Sequence, residues 1–140
     1  MTITGHLVKP NGSHSDVDLD DTRMLDELNR VVECRIFDIV SLDHGIDVVV
    51  DDEGMLQPHP QLNLALTIII HALGGRTAIC GNGILVGSTD EGETVSLTDE
   101  QRAIINRVFD HGVDKEVTAA IHHTLSPVPH AIDLVRAAGF

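Results

Sequence analysis

Arg35-Ile36-Phe37-Asp38-Ile39-Val40-Ser41-Leu42, then Asp43-His44-Gly45, then Ile46-Asp47-Val48-Val49-Val50-Asp51, is the stretch on which the fold turns. Two segments rich in β-branched residues flank a link too short for a parallel crossover, so they predict an antiparallel hairpin. Upstream, Thr2–Val8 reads as a first strand, broken by Lys9-Pro10-Asn11-Gly12-Ser13. The acidic run Asp16-Val17-Asp18-Leu19-Asp20-Asp21 then reads as the start of a helix, capped by Asp20 or Asp21. Leu25, Leu28 and Val32 give that helix its apolar repeat.

Downstream, Pro58-His59-Pro60 enforces an extended link before a helix over Gln61–Leu73, closed by Gly74-Gly75. Thr77–Gly87 reads as a strand kinked at Gly81-Asn82-Gly83, and Thr94–Leu97 as a short strand. Thr98 and Gln101 form a capping box ahead of Ile104, Ile105, Val108 and Phe109, and Gly112 stops that helix. Asp114 caps a further helix to Leu125, and His130–Ala138 forms a last one before Gly139. This order predicts an α+β fold: a small antiparallel or mixed sheet of about five strands with helices packed on it. Residues 1–111 form the core, and 112–140 a helical C-terminal extension of the same domain.

The chain has 140 residues, 42% of them apolar and only 2% aromatic, so its core is aliphatic and needs no disulfide. Nine basic residues against 22 acidic ones give a net charge of −13. That balance excludes direct nucleic-acid binding, which needs Lys and Arg on phosphates, and it disfavours an anionic membrane surface. It leaves open an acidic surface meeting a basic one on a partner protein, while the plainer reading is that the charge keeps the chain in solution. Cys34 and Cys80 fit no CxxC pattern and read as buried free thiols. The first residues carry no signal-peptide pattern, so a cytoplasmic location is expected. Apolar strands leave a homodimer open.

Asp16, Asp18, Asp20 and Glu27 match carboxylate positions of a calcium loop, but Asp21 stands where that loop needs glycine and no helix leads in. His111, His122, His123 and His130 lack metal-ligand spacing, so neither a metal nor a cofactor is expected. No serine sits in a nucleophile elbow, and Cys80 lacks an electropositive setting, so no catalytic residue is assigned. Asn63, Thr67 and His71 stand out. They recur every fourth residue as one polar line on an otherwise apolar helix. The line is expected to face water; alternatively it lines a ligand pocket with Asn82 or Asp51 beside it.

Val48-Val49-Val50-Asp51-Asp52-Glu53-Gly54, Pro60 through Asn63-Leu64-Ala65-Leu66-Thr67, Cys80-Gly81-Asn82-Gly83-Ile84-Leu85-Val86-Gly87 and Ser96-Leu97-Thr98-Asp99 carry a resemblance. Over about Ile46–Asp99, and more loosely in the first strand and helix, the chain resembles a family of small uncharacterised domains. These occur in phages, conjugative elements and Gram-positive hosts including actinobacteria. The resemblance implies a mobile-element context and no reaction. The leading expectation is therefore a non-enzymatic accessory protein that binds another protein. The alternatives are a small-ligand or metal-binding protein using Asn63, Thr67, His71 and Asn82, and a hydrolase working through acids and histidine such as Asp51 and His71.

Overall fold

The computed structural model describes residues 2–128 and 131–137; His130 and Gly139, both read from the sequence, lie outside them. The hairpin is present as β3 (Phe37–Ser41) and β4 (Ile46–Asp51), with Ile39 opposite Val49. His44 and Gly45 turn the chain at φ of 65° and 69°. Four more strands complete an antiparallel open sheet: β1 (Thr2–Val8), β2 (His14–Asp20), β5 (Gly83–Ser88) and β6 (Thr94–Val95). Their order is β2-β1-β5-β4-β3, with β6 also on β5. The expectation of an α+β sheet under helices holds.

β2 corrects the reading of the acidic run. His14-Ser15-Asp16-Val17-Asp18-Leu19-Asp20 alternates polar and apolar residues, the period of a half-buried strand. Val17 and Leu19 face the core while Asp16 and Asp18 pair with His6 and Thr4 of β1. Asp20, at the strand's end, acts as a cap, accepting from Thr22 N–H. Helix α1 (Met24–Val32) follows. The predicted strand over Thr77–Gly87 is likewise shortened to β5, because residues 79–81 pair with residues 61–63 in the link before the next helix and not with β4.

Helices cover both sheet faces. α1 packs Leu28, Val31 and Val32 on Val49, Ile84 and Val86. On the opposite face α2 (Leu64–Ala72) and α3 (Asp99–His111) pack Leu66, Ile69, Ile70 and Ile105 on Val48, Val50 and Leu85. β4 and β5 are therefore covered on both sides, which is why apolar residues run consecutively rather than alternate at Val48-Val49-Val50 and Ile84-Leu85-Val86. α4 (Lys115–Leu125) lies on α2 through Ile121, Leu125 and Ile68, and α5 (Ala131–Ala137) follows it.

The capping box of α3 forms as predicted, and it does more than end a helix. The Gln101 side chain accepts from Thr98 N–H and donates to the carbonyls of His44 and Gly45, fastening α3 to the β3–β4 turn. On the outer edge, Ile39 N–H is taken by the Asp38 carboxylate at 2.9 Å, which blunts an otherwise free strand edge. Among the described residues no helix is long and apolar enough to cross a membrane.

Candidate functional site

The polar line does not face water. Asn63, Thr67 and His71 are buried, at 0%, 0% and 1% exposure. The physical reason lies in what packs over it: the segment before β5, whose backbone groups outside the sheet need partners, the end of β1, and α4, which sets Thr124 against His71. Asn63 caps α2 by accepting from Leu66 N–H and donates to the carbonyls of Val8 and Gly81 at 3.0 and 2.9 Å. Thr67 Oγ1 accepts from Ile79 N–H. His71 Nδ1 donates to Thr67 O, and its Nε2 accepts from Thr124 of α4, each at 2.7 Å. All three side chains are thus engaged with the chain itself, and none lines the main cleft.

Burial pushes the His71 imidazole below the ordinary histidine range; the Thr67 carbonyl opposes this and the nearby Arg76 charge adds to it. The neutral ring is the native form. As pH falls through 6.5, the unfolded chain takes the proton first. His71 therefore stabilises fully above that pH, and its contribution is lost as pH falls toward the lower native value. Each tenfold difference in proton affinity between the two states is worth about 1.4 kcal/mol. Urea unfolding of wild type and His71→Gln from pH 7 to 5 checks this: the wild-type decline should be steeper, and parallel slopes would refute it.

Asn82 lies elsewhere. It is buried at the base of a cleft of about 710 Å³, between the end of α1, the turn after β4 and the 57–61 link. Its amide donates to Glu33 Oε2 at 2.7 Å and to Val31 O at 3.3 Å. Glu33 ends α1 in the left-handed conformation, φ 59°, where glycine is the usual residue. Beside it, Cys34 Sγ–H donates to Asn29 Oδ1. Asp51, at the end of β4, accepts from Glu53 N–H, which fixes the turn. Gly54 closes that turn against Cys80 O so tightly that a Cβ there would meet the carbonyl at 2.4 Å.

The charges in this cleft divide unevenly. Arg35 forms a two-point bond with Glu53, and Arg30 one with Glu27, so both guanidiniums are neutralised. Each pairing holds its carboxylate below the usual range. Glu33 and Asp51 line the same cleft and have no cation in ion-pair range among the described residues. Asn29, Gln57, Gln61 and His59 add polar groups to the wall. Burial and, for Cys34, the Asp51 charge push both thiols up, so neither is an activated nucleophile. Among the described residues no group of three or more His, Cys, Asp or Glu has the placement to hold a metal ion.

The model of a family described as a domain of unknown function, DUF3846, matches residues 3–111. The chain belongs to the DUF3846 family. The match begins in β1 and ends with α3, so it takes in the whole sheet and every wall of the cleft; α4 and α5 lie beyond it. No curated protein and no solved structure matches the chain. Of the candidate site residues singled out in the sequence, Asn82 and Asp51 reach the cleft of this DUF3846 domain, and Asn63, Thr67 and His71 do not. Glu33 was missed because a glutamate at a left-handed helix end gives no sequence signal.

Proposed function

We propose that this DUF3846 protein is a non-enzymatic accessory protein that binds another protein by receiving a basic side chain in the cleft beside Asn82. Glu33 and Asp51 facing a cleft whose arginines are already neutralised is the observation that carries this reading. A lysine or arginine entering there meets two uncompensated carboxylates, with Asn29, Gln57 and Gln61 positioned for its remaining donors. The net charge of −13 steers a basic partner toward it. The resemblance to domains of phages and conjugative elements supports a mobile-element setting.

Amide NMR with a hexa-arginine peptide tests the proposal, with hexa-glutamate as control. Shifts should concentrate at Glu33, Asp51 and Asn82, and affinity should fall about tenfold or more in Glu33→Gln/Asp51→Asn, the loss of a charge-assisted contact. Shifts spread evenly over the acidic surface, or unchanged affinity in the double variant, would sink it. The cleft volume of about 710 Å³ also favours a second reading, a small cationic ligand such as a polyamine. Spermidine binding as tightly as the peptide decides for that reading.

A further inference from the structure

Apart from the cleft, and sharing none of its lining residues, the β1–β2 ribbon and α3 form a smaller cavity of about 260 Å³. Its walls hold a chain of ionisable groups. Arg102 Nη1 of α3 donates to Asp16 Oδ2 at 2.9 Å, and Asp16 Oδ1 accepts from His6 Nδ1 at 2.9 Å. His6 Nε2 and His14 Nδ1 are 2.8 Å apart, and the His14 ring lies flat on Phe109, 3.7 Å between centroids. Sequence places these residues at positions 6, 14, 16, 102 and 109; cross-strand register and one helix face bring them together.

The proton count along this chain is fixed by its geometry. Asp16 is acceptor-only, so His6 carries its proton on Nδ1 and offers a lone pair at Nε2. His14 fills that position with Nδ1–H, which leaves its own Nε2 free. One added proton at His14 Nε2 keeps every bond. A second added proton puts N–H against N–H across 2.8 Å and two cations side by side, so the contact must open. Partial desolvation and the neighbouring His6 hold His14 below the ordinary histidine range, against the pull of Asp110. The groups facing the pair are Asp16 from β2, Arg102 and Asp110 from α3, and His6 from β1; Asp18 is held by Thr4. His14 is exposed, so protons reach it directly from solvent.

We propose that the His6–His14 pair is a proton-operated latch that holds His14, at the tip of the β1–β2 ribbon, against His6 and Phe109 near neutral pH and lets it go on acidification, while the Asp16–Arg102 bond stays in place. Release parts His14 from both His6 and Phe109, and frees the outer strand at its hairpin end, where Val8–His14 is the last paired position.

Amide hydrogen exchange of the full chain at pH 7 and pH 5, corrected for intrinsic rates, tests this. Protection at Leu7 and Ser15, whose amides pair across the ribbon next to His6 and His14, should fall about tenfold or more relative to β4 and β5, the size of one pH unit of linkage. His14→Phe keeps a ring to stack on Phe109 and removes the titration, so the ratio should then be the same at both pH values. Ring-nitrogen NMR of His14 reads the same event. A ribbon-to-core ratio unchanged by pH in the wild type overturns the proposal, as does a pH-dependent ratio that persists in His14→Phe. The comparison with β4 and β5 separates this local event from the global acid effect of His71.

Discussion

Asn63→Asp is expected to destabilise the protein by about 3–5 kcal/mol, the range for a buried charge without a partner. The substitution keeps the size of the side chain and its cap to Leu66 N–H, but turns two donors into an acceptor facing the carbonyls of Val8 and Gly81. Neither carbonyl can move to water, since Asn63 is fully buried between the end of β1, the start of α2 and the turn before β5. Asn63→Ala should cost less, about 2–3 kcal/mol: one lost cap and two orphaned acceptors without a new charge. Denaturant midpoints at pH 7 measure both. A loss under about 1 kcal/mol for Asn63→Asp would show that the site relaxes and is not a buried tie.

The second large effect concerns Gly83. A Cβ there would fall 2.2 Å from Leu66 Cδ2 and 3.4 Å from Val50 Cγ1, in the centre of the core between α2 and the sheet. The glycine is required for space, as its φ is not among the positive values. Gly83→Ala should therefore cost about 1–3 kcal/mol by overpacking. Leu66→Ala alone should cost about 2–5 kcal/mol by leaving a cavity. The double variant fills part of that cavity with the new methyl, so its loss should fall short of the sum by about 1 kcal/mol or more. Strict additivity in denaturant midpoints would mean that the two positions do not share this space.

Much of the fold was legible because its signals are local. The β3–β4 hairpin followed from two apolar runs and a three-residue link, and α3 from Thr98 and Gln101, which form the predicted box. The acidic run failed because charge was read before period. Asp16, Asp18 and Asp20 suggested a helix start, whereas Val17 and Leu19 between them marked a strand with one buried face. The polar line on α2 was visible as a line, and the sequence suggested water on it. Its destination depended on Val8, the segment before β5 and Thr124 of α4 arriving over it, which helical spacing does not encode.

The sequence by itself determined the sheet-and-helix character, the aliphatic core, the acid excess and the alignment of Asn63, Thr67 and His71. Each of these follows from composition or from periods of two and 3.6 residues. Only the tertiary structure decided that this line is an internal tie, that Glu33 and Asp51 share a cleft with two neutralised arginines, and that His6 meets His14. Those outcomes come from strand register and from segments tens of residues apart packing together, where one partner's identity says nothing about the other's position.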